Sequence, residues 1–412
     1  MIYELKQERE GIIVKNIVLI TKDAVNIHYL PIYGGNLWKT PNIDELAGKG
    51  TVFQRHYTAA PSTAMAFTSM ALGKNCFETE RRKYVQVEEC KDVTLFDRMH
   101  NLGYECHIAW DISYYKFANT HFRCYGENTI LHNLDTIIPN HSPHIVGQFD
   151  NLTFDKEKEN NALKIIQDMF CEVAKSNNAV FLWLHLPHVL NGRNSYASDI
   201  DLFDHVVGFA REVFQDDELY VSADHGNMDG EKGKFGYGHD VDEAAIRIPL
   251  ITPRINEQKE IHDITSNLYL YDIFQGSIPK IDFAYSDSAY YLQPNRKLAI
   301  IHGEYKLIFS KRENKFYLYD LERDPNEKYN LFYPEFFDAD RRIWYSLNQR
   351  FYYTKWEMAF KEKDLLLKEF YRVWKKGNYM EELVEKVIYE LKILYCQLHA
   401  NKNKKRIVNS WK

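Results

Sequence analysis

The chain has no excess of basic residues, no long hydrophobic run and no apolar stretch among its first ten residues. It carries 52 Lys and Arg residues against 58 Asp and Glu residues, a net charge of −6, which argues against a general nucleic-acid binder. No apolar run approaches the roughly 20 residues of a membrane-spanning helix. The polar stretch from Met1 to Glu10 lacks the apolar core of a secretory signal. The sequence therefore predicts a cytoplasmic protein.

The chain also lacks the cysteine spacing of a metal knot or a redox motif. None of its six cysteines forms a C-x-x-C pair. In a cytoplasmic chain, scattered cysteines of this kind indicate free thiols rather than disulfides or a zinc knot. The six are Cys76, Cys90, Cys106, Cys124, Cys171 and Cys396.

Hydrophobic runs alternate with helical patterns along the first half of the chain. The runs are typical of strands buried on both faces of a parallel sheet, and they lie at 16–20, 104–109, 179–186 and 219–223. Apolar residues at helical spacing predict helices between them, at 42–49, 64–72, 94–102, 158–176 and 198–215. This alternation predicts an α/β fold with a doubly wound, mostly parallel sheet. Ligands of such sheets bind at the carboxyl ends of the strands.

Residues of metal-binding and nucleophilic type stand at two strand ends and at one helix start. Asp23 follows the first run, and Asp224 with His225 follows the fourth. Thr63 precedes an apolar helical stretch, where free amides and the helix dipole favour an anion. Either acid alone would usually be a cap or a surface charge, and Thr63 alone would be an N-cap. Together, these four residues predict a site for one divalent cation, zinc or manganese ahead of calcium or magnesium.

Four sequence blocks stand in the order and spacing of a known family. Residues 16–34 contain a strand, an acid and a Tyr-Gly pair, and residues 40–53 follow the pattern TPNxDxLAxxGxxF. Asp-His-Gly at 224–226 precedes an Arg-Ile-Pro-Leu-Ile segment, and a Tyr-Lys-Leu-Ile segment precedes a Leu-Tyr-Asp-Leu segment with Asp-Pro-Asn-Glu. Over roughly residues 13–335, the chain resembles the sulfatase family of the alkaline phosphatase superfamily. The resemblance implies that family's fold, including a small C-terminal antiparallel sheet.

The chain departs from sulfatases at the positions that their chemistry needs. Sulfatases oxidise a Cys or Ser to formylglycine, but counting back from Gly73 places Thr63 at that position. Threonine carries a methyl group on its β-carbon and cannot give that aldehyde. Phe67 stands where the motif has arginine, and Ala24 stands where the family has a second acid. Formylglycine-dependent sulfate hydrolysis is therefore not expected.

A threonine at this position is similar to the phosphoethanolamine transferases and lipoteichoic acid synthases. The resemblance implies that a phosphoryl group is displaced onto Thr63 and then passed to an alcohol or water. It also implies that His188 and His239 take part in catalysis and, with His185, bind the substrate, since imidazoles can protonate a leaving oxygen or bind phosphate. For His185, a packed structural role is the equally weighted alternative.

Three regions are predicted along the chain. Residues 1–285 form the catalytic domain, with 124–157 as an irregular insertion over the site, and residues 286–340 form a small α+β subdomain. Residues 341–412 form a helical tail rich in basic and aromatic side chains. The tail either packs on the domain or on another subunit, or it contacts a membrane surface.

Three interpretations of function remain open. The leading one is a metal-dependent phosphoryl-ester transferase or hydrolase that acts through phosphothreonine, with a phosphate-ester donor and a sugar, lipid head group or water as acceptor. The second is a phosphatase or sulfate-ester hydrolase that acts on a small soluble ester. The third is a non-catalytic relative that binds a head group. The sequence also leaves a homo-oligomer open.

Overall fold

The computed structural model describes residues 8–9, 12–13, 15–78, 92–110, 128–134, 156–187, 193–288, 296–332, 336–338, 343–346 and 351–374. Its largest sheet has eight strands: β1 (Ile17–Lys22), β2 (Thr51–Phe53), β3 (Glu105–Trp110), β4 (Thr129–Asn133), β5 (Val180–Leu186), β6 (Leu219–Ala223), β7 (Leu250–Thr252) and β8 (Glu260–Ile261). Their order is β8-β2-β7-β6-β1-β5-β3-β4. Only β7 runs antiparallel to its neighbours in this sheet. The predicted mostly parallel sheet is therefore confirmed.

Helices cover both faces of this sheet. Val18 and Ile20 of β1 pack in one apolar core, and Ile17 and Leu19 pack in another, because successive strand residues point to opposite faces. The first core contains residues of α1, α4 and α5, and the second contains residues of α2, α3 and α7. The helices in chain order are α1 (Pro41–Lys49), α2 (Thr63–Leu72), α3 (Leu95–Asn101), α4 (Lys156–Val173), α5 (Arg193–Val213), α6 (Glu243–Ile246), α7 (Leu270–Phe274) and α8 (Trp356–Val373).

One part of the predicted insertion at 124–157 is regular structure. Residues 129–133 form β4, which extends the sheet in parallel beside β3. This edge strand leaves Ile130 and Leu131 exposed and mixes polar with apolar residues, so its sequence lacks the apolar run of a buried strand. The interpretation of the whole segment as irregular is therefore wrong. Residues 135–155 lie outside the described part of the chain.

A second, antiparallel sheet follows the main one and confirms the small C-terminal sheet. Its strands are β9 (Ala284–Asp287), β10 (Lys297–His302), β11 (Tyr305–Ser310) and β12 (Lys315–Asp320). The predicted boundary after residue 285 falls inside β9, and the division into regions stays a prediction. Two-residue strands also pair at Glu8–Arg9 with Ile12–Ile13, His56–Tyr57 with Thr265–Ser266, and Met228–Asp229 with Phe235–Gly236.

The tail begins with strands rather than with a helix. Three antiparallel strands, β13 (Phe336–Asp338), β14 (Ile343–Ser346) and β15 (Phe351–Tyr353), precede α8. The helix packs on the C-terminal sheet, where Phe370 lies 4.8 Å from Phe309 between ring centroids. Among the described helices, none is long and apolar enough to cross a membrane. Residues 375–412 lie outside the described part, and a membrane contact of the tail stays a prediction.

Candidate metal centre

Two buried acids meet where neighbouring parallel strands end. Asp23 follows β1 and Asp224 follows β6, and Lys22 pairs with Ala223 in the register of these strands. Both acids are 0% exposed. Asp224 Oδ1 accepts hydrogen bonds from the main-chain amides of His225, at 2.7 Å, and of Ala24, at 3.2 Å. Ala24 turns its amide toward Asp224 from a left-handed conformation with φ of 60°, which is strained for a residue other than glycine.

His225 connects the two acids to the predicted nucleophile. In the neutral ring, Nδ1 donates to the Gly226 carbonyl at 2.9 Å, which leaves a lone pair on Nε2. Nε2 lies 3.4 Å from Asp224 Oδ2, 3.5 Å from Asp23 Oδ1 and 3.1 Å from Thr63 Oγ1. The structure thus brings together all four residues that the sequence predicts as metal ligands. Their role as ligands stays a prediction.

Glycine follows His225 because there is no space for a side chain. A Cβ at Gly226 would lie 2.1 Å from the carbonyl oxygen of Ala244. The Gly226 amide donates to the Ala245 carbonyl at 2.9 Å. This close approach fixes the main chain that carries Asp224 and His225 against the start of α6.

Thr63 is the first residue of α2. Ser62, in an extended conformation, is the N-cap, and Gly73 ends the helix with φ of 64°. Thr63 is therefore not the N-cap of this helix, which was the alternative to a nucleophile in the sequence analysis. It is nearly buried and lies within hydrogen-bonding distance of His225.

His185 also lies beside the two acids. Its ring and the carboxylates of Asp23 and Asp224 bring three ligand atoms within 4.8 Å of one another. The sequence assigns His185 to substrate binding. In the structure, its imidazole is a second histidine side chain, after His225, that lies where it could bind a metal. Burial lowers the pKa of His185 to about 3, so the ring is neutral and able to ligate a metal.

A hydrogen-bonded set of residues orients the His185 ring. The Trp183 indole donates to Thr21 Oγ1 at 2.9 Å, and His185 Nδ1 lies 3.0 Å from the same oxygen. When the Thr21 hydroxyl donates to the Leu184 carbonyl at 3.3 Å, its oxygen accepts from both rings, and His185 Nε2 keeps its lone pair. Phe67 packs edge-on against His185 at 4.4 Å and stacks on Trp183 at 4.8 Å. An aromatic wall thus stands where the sulfatase motif has its arginine.

The donor set fits a divalent cation. Burial raises the pKa of Asp224 to about 7, and the nearby Asp23 acts in the same direction, although His225 opposes both. No hydrogen bond from the described residues reaches Asp224 Oδ2. The adjacent ammonium of Lys22 donates instead to the main-chain oxygen of Asp23 at 2.9 Å and pairs with Asp199 at 3.4 Å. Buried carboxylates with neutral imidazoles are ligands that zinc and manganese accept.

Of the remaining two predicted histidines, the structure describes only His239. His188 lies outside the described residues. His239 is exposed in a loop whose preceding residues contact the site: the Tyr237 ring lies 4.6 Å from the His225 ring, and a Cβ at Gly238 would lie 3.8 Å from that of Ser62. On the far side of His239, Asp240 pairs with Lys297 at 2.7 Å and with Lys234 at 2.6 Å.

The later sequence blocks contribute a buried group of ion pairs next to the site. Lys306 of the Tyr-Lys-Leu-Ile block is fully buried and contacts Glu243 at 2.9 Å and Glu327 at 2.7 Å. Glu243 begins α6, and Glu327 belongs to the Asp-Pro-Asn-Glu block. The blocks thus attach the C-terminal sheet to the segment that follows Asp224. Sequence reasoning used them to identify a resemblance but did not recognise their structural role, because the pairing joins residues up to 84 positions apart.

Comparison with known proteins agrees with the fold. The sulfatase family model matches residues 15–189. A 2-O GAG sulfatase shares the fold with a TM-score of 0.60 at 16% identity, covering 89% of this chain and 96% of that one. Phosphonate monoester hydrolases from Agrobacterium radiobacter and Silicibacter pomeroyi give TM-scores of 0.59 and 0.60 at 13% identity, each over 88% of this chain and 96% of theirs. The search of curated proteins found no significant match.

Proposed function

We propose that this protein, whose residues 15–189 match the sulfatase family model, is a metal-dependent enzyme that cleaves a phosphate ester through a phosphorylated Thr63. One observation carries the proposal: Thr63 Oγ1 lies 3.1 Å from His225 Nε2, which is itself within 3.5 Å of both buried acids. The sulfatase and phosphonate monoester hydrolase neighbours support ester hydrolysis as the broad reaction class.

Each residue has a separate task in the proposed reaction. Asp23, Asp224 and His225, with His185 beside the acids, would hold the cation. When bound, the cation supplies positive charge that stabilises an alkoxide and the phosphoryl oxygens. The Thr63 hydroxyl gives its proton to solvent, and its oxygen forms a bond to phosphorus while the bond from phosphorus to the leaving oxygen breaks.

His239 is the proposed acid for the leaving oxygen, because its own side chain is exposed and its loop lies next to the start of α2. In the second half of the reaction, water or an acceptor hydroxyl loses its proton and forms a bond to phosphorus, while the bond from phosphorus to Thr63 Oγ1 breaks and that oxygen regains a proton. Transfer and hydrolysis share the first half and differ only in the acceptor. A phosphate ester is the proposed donor, with a sugar, a lipid head group or water as the proposed acceptor.

The neighbours favour a second candidate function, which is hydrolysis of a small sulfate, phosphate or phosphonate ester. A formylglycine mechanism would not suit it, since Thr63 has a methyl group on its β-carbon. Activity against p-nitrophenyl phosphate, bis-p-nitrophenyl phosphate and p-nitrophenyl sulfate separates these possibilities. Turnover of the diester alone would favour the phosphodiester class, and no turnover of any ester would favour a binding protein.

Replacement of the nucleophile is the decisive test. Thr63→Ala should lower ester turnover by more than about 1,000-fold, because the covalent route disappears. The variant should stay folded, because the change removes one hydrogen bond worth about 1 kcal/mol. Thr63→Ser should keep part of the activity, since it retains the hydroxyl. Turnover and thermal melting of both variants provide the measurement.

Thr68→Ala is the matched control for Thr63→Ala. Its buried hydroxyl lies in the same helix and donates to the Ala64 carbonyl at 2.7 Å, one turn away from the site. It should turn over substrate like the wild type. Intact mass after incubation with donor should show a phosphoryl adduct on Thr63 and no aldehyde on Ser62. A folded Thr63→Ala protein with wild-type turnover would contradict the proposal and make a metal-activated water the better nucleophile.

A further inference from the structure

Ser62 has a buried hydroxyl that has no hydrogen-bond partner among the described residues. The residue is 6% exposed, and its Oγ makes no hydrogen bond with the described residues. Ser62 holds the N-cap position of α2, yet its side chain accepts no bond from the helix amides. An N-cap serine ordinarily accepts such a bond. Its failure to do so leaves both the hydroxyl and the helix amides available.

Other hydroxyls of the same helix are satisfied. Thr68 donates to the Ala64 carbonyl at 2.7 Å, and Ser69 lies 3.5 Å from Cys76 Sγ. The unpartnered hydroxyl is therefore found at the helix start, directly before the proposed nucleophile. Burying an unpaired hydroxyl is unfavourable, and such a group in a native protein calls for an explanation.

Ser62 faces the loop that carries His239. A Cβ at Gly238 would approach the Ser62 Cβ to 3.8 Å and the Pro61 carbonyl oxygen to 3.9 Å. On its other side, Thr63 Oγ1 lies 3.1 Å from His225 Nε2. The Ser62 side chain thus stands between the proposed nucleophile and the loop of the proposed acid.

The start of α2 offers further donors at this place. The first main-chain bond of the ten-residue helix runs from the Ala66 amide to the Ser62 carbonyl. The amides of Thr63, Ala64 and Met65 precede it and have no acceptor within the helix. These amides carry the positive end of the helix dipole, which favours an anion.

We propose that the Ser62 hydroxyl and the first-turn amides of α2 donate hydrogen bonds to a non-bridging oxygen of the tetrahedral ester anion held at Thr63. The inference rests on the proposed function and adds a further substrate-binding residue to it. The hydroxyl, buried without a partner in the described part of the chain, would gain one when the anion binds. Its bond should strengthen as negative charge grows on the oxygen during transfer.

The test compares Ser62→Ala with wild type and with Thr68→Ala, all as full chains carrying their metal. Thermal melting is measured with and without inorganic phosphate, and turnover is measured on the best p-nitrophenyl ester. We expect Ser62→Ala to melt at or above the wild-type temperature without phosphate, because it loses only an unpaired hydroxyl. Phosphate should raise its melting temperature less than that of wild type, and its kcat should fall by about 100-fold. Ser62→Thr should recover part of both effects.

Several outcomes would overturn the inference. If Ser62 were an ordinary cap, Ser62→Ala would melt about 2 °C lower and keep the full response to phosphate. Wild-type turnover in Ser62→Ala would remove the catalytic role, as would an equal loss in Thr68→Ala. A phosphoryl adduct on Ser62 would make it the nucleophile instead. If the wild type itself neither responds to phosphate nor turns over any ester, the proposed function fails, and this result is distinct from a failure confined to Ser62→Ala.

Discussion

Two groups of buried carboxylates differ in the groups that surround them. The strand-end cluster contains Asp23, Asp224, His185 and His225. The lysine-paired cluster contains Asp242, Glu243 and Glu327 with the ammonium groups of Lys232, Lys234 and Lys306. Lysines compensate the acids of the second cluster, whereas the partners of Asp224 are an imidazole and two main-chain amides.

This difference shows in the ionisation of Asp242 and Asp224 but not in that of every acid, because burial also raises the pKa of Glu327 to about 7 and Lys306 does not outweigh it. Burial opposes ionisation of Asp242, but Lys232 and Lys234 outweigh it and hold the pKa below its usual value. Burial raises the pKa of Asp224 to about 7, and His225 does not outweigh it. An acid that lysines neutralise, such as Asp242, has a structural role, whereas Asp224, whose partners are an imidazole and two main-chain amides, can accept a cation. The comparison therefore predicts opposite consequences for substitutions in the two clusters.

The largest expected effect is loss of the metal from the strand-end cluster. Asp224→Asn keeps the shape of the side chain but removes its charge, so metal affinity should fall by more than about 100-fold and ester turnover should fall with it. The Asp242→Asn variant, which changes the lysine-paired cluster, should still bind metal at the strand-end cluster. Elemental analysis of the purified proteins provides the measurement. Equal metal content in Asp224→Asn and wild type would remove the basis for treating the two clusters differently.

The next effect is a loss of stability when Lys306 is removed. Lys306→Met leaves the carboxylates of Glu243 and Glu327 buried without their shared ammonium, so the free energy of unfolding should fall by about 3–5 kcal/mol. Urea unfolding measures it. Lys355→Met, which breaks the exposed Lys355–Glu322 pair at 2.6 Å in the same half of the chain, should change little. Similar losses in both variants would mean that burial of the pair is unimportant.

The smallest effect is a pH-dependent contribution from Asp242. Its folded pKa lies below the ordinary value of 3.8, so its ionised form stabilises the fold above that pH, and the stabilisation disappears as pH falls toward the folded value. Wild type should be more stable than Asp242→Asn by about 1–3 kcal/mol near pH 6. The difference should shrink below about pH 4. Urea unfolding at several pH values gives the two curves, and a constant difference down to pH 3 would contradict the assignment.

The sequence predicted the parts of this protein that depend on local pattern. Four apolar runs became β1, β3, β5 and β6, and the helices between them lie close to their predicted positions. Asp23 and Asp224 were recognisable as neighbours because parallel strands bring their carboxyl ends to one edge. Prediction failed where the pattern was weak, at the mixed edge strand β4 and at the aromatic strands before α8, whose residues suit a helix as well as a sheet.

The sequence by itself determined that a hydroxyl, two acids and an imidazole would stand at the ends of buried elements, because strand and helix boundaries are encoded locally. Only the tertiary structure decided which neighbours those groups have. Among the residues that the structure describes, it gave the Ser62 hydroxyl no partner. It placed His185 beside Asp23 and Asp224, and it joined Lys306 to Glu243 and Glu327. These contacts join residues far apart in the chain, and their energies depend on burial, which removes the solvent that would otherwise screen each charge and satisfy each hydroxyl.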